Sequence, residues 1–580
     1  MKSTYGRQNL RQDLSAGLTV AFVALPQCMA YALIAGVDPQ YGLYAFMVGS
    51  IVGALFGSSR HLQTGPTNAT SIVVASTLAI YLGNDNFMGL VFLLGLLSGF
   101  IQLAAGLLRL GNLTQFISRS VLAGFIAGAA LWIAANQMPN LLGVPREIHS
   151  SVFDELWYVF QNLGNTQLHV LLLGIGTILV ALFMNRISPK SSTGIPLLPS
   201  YLIAILAAAS MVSIFGLDAR GVRIVGDISG TLPTFSLPVL NLDVVRTLMP
   251  GAIAIALIGF AESTSAAKTV ASFAGDKLDL DRDFIGQELA KMFSSFLSGI
   301  PVSGSLTRTV LCYRAGAATK FANVFAGILF LLIVLFFSPI VKYIPLAGLA
   351  GIVMIIAANM IDWQYVKLAF RSTKSDALAM IATFVSALML PLDTAIYIGV
   401  GLSLALFLRM ASTPHIIELN FDEEAGFHEL ADAKKRSIPE LSIVHVEGDI
   451  FFGGVDFMED EIQKIARRDD LKVLILRLKR AFSVDASTIM ALKKIHAELK
   501  KQNKLLLISG TTKELSEIFH RSGLDHVIGE ENILYSGKTI LKSTHAAVAH
   551  ALEYLNREHG RSYEVSMPDT ARRDSGQNDE

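Results

Sequence analysis

The residues able to do chemistry in this sequence lie in two short hydroxyl-rich segments and at one acidic position, all set among apolar residues. The first segment is Thr64-Gly65-Pro66-Thr67-Asn68-Ala69-Thr70-Ser71, leading into the apolar run Ile72 to Leu82. The second is Ser303-Gly304-Ser305-Leu306-Thr307-Arg308-Thr309, and Glu262 closes the apolar run Ala252 to Ala261. Proline near a helix start has a preset φ and needs no amide hydrogen, while glycine lets the backbone approach a ligand. Both segments therefore read as helices that begin inside the membrane. A helix start presents unpaired N–H groups and about half a positive charge, which is a ready anion site. Arg308 would add a full charge there, and an ionisable Glu262 within a span is a candidate for proton or ion coupling. Each residue also has a plainer reading. Thr67, Thr70, Ser305 and Thr307 could be helix caps or interhelical hydrogen bonds, Arg308 could pair with Glu262, and Glu262 could support packing.

These positions need a membrane-embedded scaffold, and the composition supplies one. The 580 residues are 52% hydrophobic and 16% charged, with a mean hydropathy of +0.51, which argues against a soluble enzyme. The formal net charge is zero, so nothing favours nucleic acid as a partner. That zero hides a division. Residues 1–410 hold 24 basic and 18 acidic side chains and residues 411–580 hold 23 and 29, so charge density rises from about 10% to about 31% near Arg409.

Runs such as Gly89–Leu108, Leu171–Met184, Leu197–Ile214, Met249–Phe260, Val324–Phe337 and Ile398–Leu408 are long enough to be spans or parts of them. About fourteen crossings fit the first 410 residues at roughly 20 residues per span. Basic residues recur at the amino end and in alternate loops (Lys2, Arg7, Arg11; Arg60; Arg109, Arg119; Arg186, Lys190; Lys268, Lys277, Arg282; Arg314, Lys320; Lys367, Arg371, Lys374). The other loops carry fewer, mainly Arg146, Arg220, Arg223, Arg246 and Lys342, so both termini are expected in the cytoplasm. No cleavable signal peptide is read, and Cys28 and Cys312 sit in apolar contexts that suit small core residues.

After Arg409, strand candidates (Ser442–Phe452, Lys472–Leu478, Lys504–Ser509) alternate with helix candidates (Val455–Ala466, Ser487–Lys501, Lys513–Ser522, Ser543–Leu555), the pattern of a small α/β domain. The expected organisation is a cytoplasmic segment 1–12, a transmembrane domain 13–410, an α/β domain 411–558 and a disordered tail 559–580. No Walker lysine motif, zinc spacing or nucleophile elbow is present, so catalysis and a cofactor are not expected.

The run Asp13-Leu14-Ser15-Ala16-Gly17-Leu18-Thr19-Val20, continuing to Pro26-Gln27-Cys28-Met29-Ala30-Tyr31-Ala32, Ala35-Gly36 and Pro39-Gln40-Tyr41-Gly42-Leu43-Tyr44, closely resembles the first-span signature of the sulfate permease (SulP), or solute carrier 26, family. The match continues through Gly65-Pro66, Phe260-Ala261-Glu262-Ser263 and Ser303 to Arg308, and the soluble end resembles a STAS domain. The resemblance implies a polytopic α-helical membrane protein of seven-plus-seven inverted repeats, in which a core domain moves against a gate domain. It implies an anion site between the third and tenth spans, at Thr67, Asn68, Ala69 and Thr70 and at Ser305, Leu306, Thr307 and Arg308, with Gln27 and Tyr31 of the first span beside it. A homodimer and cytoplasmic partners of the STAS domain are further family expectations.

Departures bear on coupling. The sodium ligands of bicarbonate-transporting relatives correspond to Glu262 and Ala266, and loss of a hydroxyl at Ala266 weakens a claim for Na⁺ and favours H⁺ on Glu262. Lys291 stands where relatives usually have Asn and Glu288 where they have a small residue; spaced i, i+3, the two can neutralise each other. Asp485-Ala486-Ser487-Thr488 matches the loop that is phosphorylated on Ser in related bacterial proteins, although a helix cap at Asp485 or Ser487 is the simpler role. The expected function is proton-coupled transport of an inorganic oxyanion, sulfate first, across a bacterial-type inner membrane. Bicarbonate or C4-dicarboxylate are rival substrates, a nucleobase is disfavoured by Arg308, and a membrane-anchored anion-sensing scaffold is the alternative without net transport.

Overall fold

Helices of 20 or so apolar residues follow one another from the amino end, because only a helix satisfies its own backbone inside lipid. The computed structural model describes residues 6–81, 83–84, 86–108, 118–145, 152–187, 200–226, 232–238, 241–422, 426–430, 436–482, 484–536, 541–560 and 562–563. Lys2, Arg109, Arg146, Lys190 and the expected tail beyond Tyr563 lie outside these residues. Among the described residues, nine helical stretches are long and apolar enough to cross a membrane, with shorter apolar helices at Asn68–Tyr81 and Ser200–Phe215. The chain divides into two units, Met1–Ser403 and Leu404–Glu580.

The membrane unit is built twice over. Its first half runs α1 (Arg7–Ile34), α2 (Pro39–Phe56), β1 (Thr64–Gly65), α3 (Asn68–Leu78), α4 (Phe87–Leu107), α5 (Arg119–Leu142), α6 (Val152–Gln161), α7 (Leu168–Ile187) and α8 (Ser200–Phe215). Its second half repeats the order: α9 (Leu242–Ala274), α10 (Leu280–Phe296), β2 (Ser303–Gly304), α11 (Leu306–Arg314), α12 (Phe321–Val341), α13 (Leu346–Met360), α14 (Trp363–Ser372), α15 (Lys374–Met389) and α16 (Leu392–Ala411). In each half a long proline-bearing helix (Pro26, Pro250) comes first, and a two-residue strand precedes a short helix. Packing repeats as well: α1 lies on α12 as α9 lies on α4, while α2 lies on α10. The helix α1 starts at Arg7, ahead of the span start expected near Asp13. Asp13 is fully buried, and its carboxylate accepts the N–H groups of Ala318 (2.8 Å) and Thr319 (2.9 Å), tying α1 to the entry of α12.

The second unit holds β3 (His415–Asp422), β4 (Gly426–Glu429), β5 (Leu441–Asp449), α17 (Phe452–Ala466), β6 (Val473–Phe482), α18 (Ala486–Lys501), β7 (Leu505–Thr511), α19 (Lys513–Ser522), α20 (Leu524–Ile528), β8 (Ile533–Tyr535) and α21 (Lys542–His559). The strands form one sheet in the order β4-β3-β5-β6-β7-β8, parallel from β5 to β8, with β3 antiparallel to both its neighbours. Helices cover both faces: α17 to α20 over Val444, Leu474 and Ile508, and α21 over Ile443, Ile475 and Leu507. That burial explains the continuous apolar runs of its parallel strands. Within the segment expected to be a tail, the Tyr563 hydroxyl donates to Glu440 (2.8 Å) and its N–H to Asn556 (3.0 Å).

Candidate functional site

The two hydroxyl-rich segments meet. Thr64 pairs with Gly304 and Gly65 with Ser303 in a two-stranded antiparallel crossing, and each strand runs straight into a short helix. Thr67 caps α3 by accepting the N–H of Thr70 (3.4 Å), and Ser305 caps α11 by accepting the N–H of Arg308 (3.5 Å). The caps satisfy one N–H each and leave other first-turn N–H groups without an intrahelical partner. At 1.5 Å per residue, the 11 residues of α3 and 9 of α11 span about 16 and 14 Å, together about one hydrocarbon thickness. Two half-helices placed start to start thus bring their positive ends together.

Close approach at the crossing depends on glycine. A β-carbon on Gly65 would stand 2.9 Å from the Phe46 ring and 3.1 Å from the Arg308 guanidinium, and one on Gly304 would stand 2.9 Å from Ser263 Oγ. Ser263 in turn accepts the N–H of Gly304 (3.0 Å), which fixes α9 against the crossing.

Arg308 lies at the centre and is fully buried. Its Nη2 donates to Pro66 O (2.8 Å) and its guanidinium sits 5.7 Å from the Phe46 ring centroid, but Nε and Nη1 have no hydrogen-bond partner among the described residues. No ion pair joins it to Glu262 among them. Leaving a buried donor unsatisfied costs about 1–3 kcal/mol, more for a charged group, so this guanidinium is prepared for an acceptor from outside the chain. Gln27 Oε1 and Ser71 Oγ are further buried polar atoms without a partner among the described residues. Tyr31 of α1 is buried.

The hydroxyls expected to contact an anion divide by position. Thr67 donates to Glu262 Oε2 (2.8 Å), and Thr70 Oγ1 lies 2.9 Å from Thr67 Oγ1 and 3.2 Å from Thr67 O. Asn68 uses its side-chain oxygen on the N–H of Ala69 (2.9 Å). Ser305 is buried, whereas Leu306 and Thr307 are on the exposed side of the first turn of α11. A cavity of about 510 Å³ reaches Ala69, Leu306 and Glu262, and its far wall is Arg119, Asp362 and Tyr365. Arg119 stacks on Tyr365 (4.8 Å) and lies 3.8 Å from Asp362. Behind α9, Lys291 pairs with Glu288 (3.2 Å) and hydrogen-bonds Gln102 Oε1, as the i, i+3 spacing suggested.

These features coincide with known proteins. The sequence profile of the sulfate permease family matches residues 10–383, and that of the STAS domain matches residues 432–547. The chain belongs to the sulfate permease family. YvdB of Bacillus subtilis, whose name assigns it to sulfate transport, is 30% identical over 531 residues, 91% of this chain and 96% of its own. Sulfate transporter 4.1 of Arabidopsis thaliana, a chloroplastic protein, is 30% identical over 540 residues, 90% of this chain and 78% of its own. The solved structure of the murine solute carrier 26 family member A9 anion transporter, in the inward-facing state, shares the fold at a TM-score of 0.85 and 18% identity, covering 95% of this chain and 92% of that one. The protein is a multi-pass membrane protein of an anion-transporting family with a carboxy-terminal STAS domain.

As a sulfate permease family member it carries site features that the sequence reading missed. Phe46 near Arg308, the Ser263–Gly304 bond and the Arg119–Tyr365–Asp362 wall join residues far apart in sequence, on α2, α5, α9 and α14 and at the crossing. Arg119 and Asp362 are charges at helix starts, a signal the sequence offers but one shared with ordinary loop residues.

Proposed function

We propose that the chain is a secondary transporter that carries an inorganic oxyanion, sulfate first, into the cell together with a proton, by elevator-type movement of the core domain against the gate domain. The observation that supports this best is the buried guanidinium of Arg308, with two unpartnered nitrogens, held between two opposed helix starts. Helix dipoles and Arg308 favour an anion. Glu262, bonded to the cap of α3, opposes it while ionised, so a dianion arrives most readily when a proton has neutralised that carboxylate. Sulfate is preferred over bicarbonate and C4-dicarboxylate because the names of the relatives assign them to sulfate transport. The cavity between α3, α9 and α11 on one side and α5 and α14 on the other supports a mobile core and a fixed gate.

In this reading about fourteen spans end near residue 410, both termini are cytoplasmic, the membrane is the bacterial inner membrane, and the protein is a homodimer whose STAS domain meets cytoplasmic proteins. Ser487, exposed in the first turn of α18, is the candidate phosphate acceptor. Uptake of labelled sulfate, bicarbonate and succinate into proteoliposomes, with and without a pH gradient, tests the proposal. Saturable sulfate uptake accelerated by an inward proton gradient is expected. Preference for bicarbonate or succinate would overturn the substrate, and sulfate binding without flux would make the protein a sensor.

A further inference from the structure

Like Arg308, Lys291 is one of the largest fully buried side chains among the described residues, and it is not among the residues that line the cavity. Its ammonium is 1% exposed, bonded to Glu288 Oε2 (3.2 Å; Glu288 is 2% exposed) and to Gln102 Oε1 of α4. A buried ion pair adds little stability over apolar side chains of the same volume, but it does place a fixed field inside the protein. That field is directed. A β-carbon on Gly259 would lie 3.4 Å from Lys291 Nζ and 3.0 Å from Gln102 Nε2, with no atom of Glu288 among its nearest neighbours. The ammonium end of the pair therefore faces α9, and Gly259 lies three residues, about one turn, before Glu262 on that helix. Lys291 is thus the nearer member of the pair to the helix that carries Glu262.

We infer that Lys291 is a positioning residue for the coupling carboxylate: its fixed ammonium, held behind α9 by Glu288 and Gln102, sets the pH range over which Glu262 takes up and returns its proton. The inference rests on the reading of Glu262 as the proton carrier. The groups that face Glu262 are Thr67 from α3, Arg308 from α11, Ser303 from β2, Tyr31 from α1 and Lys291 from α10, with Arg119 and Asp362 across the cavity. Arg308 meets the anion and cannot serve as a constant reference, whereas Lys291 is sealed away from it. A unit charge acting through low-dielectric protein changes a neighbour's proton equilibrium by about one pH unit.

The test is sulfate uptake into proteoliposomes across external pH for the wild type, K291Q, K291R, E288Q/K291Q and E262Q. Removing a positive charge favours the protonated form of Glu262, so the pH of half-maximal uptake should rise by about one unit in K291Q and in the same direction, but by less, in E288Q/K291Q. The double variant leaves no unpaired buried carboxylate, and so remains informative if the single variant does not fold. K291R should keep the wild-type midpoint. Wild-type midpoints in both K291Q and E288Q/K291Q would overturn the inference while leaving Glu262 as carrier. If uptake by E262Q retained the wild-type pH profile, the underlying reading would fall instead.

Discussion

The Thr67 hydroxyl faces two ways: it donates to Glu262 Oε2 at 2.8 Å and accepts the N–H of Thr70 at 3.4 Å. One oxygen thereby joins the carboxylate of α9 to the capped start of α3. A protonated Glu262 needs an acceptor for its own hydrogen where the ionised form only receives one, so protonation rearranges the bond at the mouth of the anion site. Thr67→Ser should preserve uptake and its pH dependence, because both bonds remain possible. Thr67→Val should weaken the start of α3 by about 1 kcal/mol and lower uptake several-fold. Equal uptake by the two variants would separate Thr67 from coupling.

Glu262→Gln removes the titrating group but keeps a side chain that can accept from Thr67. Sulfate uptake should become flat with pH and lose acceleration by an inward proton gradient, while sulfate binding persists. Proton movement measured alongside labelled sulfate checks this directly.

Arg308 can be tested by charge and shape separately. Arg308→Glu should abolish saturable uptake with the protein still folded in the membrane. Arg308→Lys keeps the charge but loses the planar array of donors, and should raise half-saturation by roughly tenfold or more. Sulfate-dependent protection against thermal unfolding should vanish in the first variant and shrink in the second.

Gly65→Ala would press a methyl group between Phe46 and Arg308. A cost of about 1–3 kcal/mol is expected, seen as a lower unfolding temperature in detergent and weaker sulfate binding. Gly259→Ala, against Gln102 and Lys291, should be destabilising for the same steric reason.

In the STAS unit, Asp485 accepts the N–H groups of Thr488 (2.9 Å) and Phe452 (2.8 Å). Partial burial pushes its carboxyl up, but these bonds prevail and hold it below the usual carboxylate range. The stability it adds is therefore full above the ordinary carboxylate range and is lost as pH falls through its lowered value, below about pH 4. Hydrogen exchange at the start of α18 should quicken in that window in the wild type. Asp485→Asn should remove most of that pH dependence.

Much of the site was legible because its chemistry is local in sequence. Thr67 and Ser305 announce helix starts by type and context, and Arg308 stands out as a cation among apolar residues. The Lys291–Glu288 pair followed from helical spacing alone. What was not legible is contact across the fold: nothing near Thr67 in the chain points to Glu262, and nothing near Arg308 points to Phe46 or Pro66. Thr307 stood with Thr67 and Ser305 as a candidate donor, but those two are helix caps, whereas Thr307 lies on the exposed side of the first turn of α11. In the second unit, β3, β4 and β8 escaped notice: β4 and β8 are the edge strands, and β3, although paired on both sides, is mostly half-buried and mixed in sequence, unlike the apolar β5, β6 and β7.

The pairing of Thr64 with Gly304 and of Gly65 with Ser303 has the form in which residue i meets j and j meets i. Antiparallel pairing gives any two strands that local two-fold form, which is also the form of an isologous contact between identical molecules. Here it lies inside one polypeptide, where each half of the membrane unit contributes one strand, so both short helices start from a single shared seam.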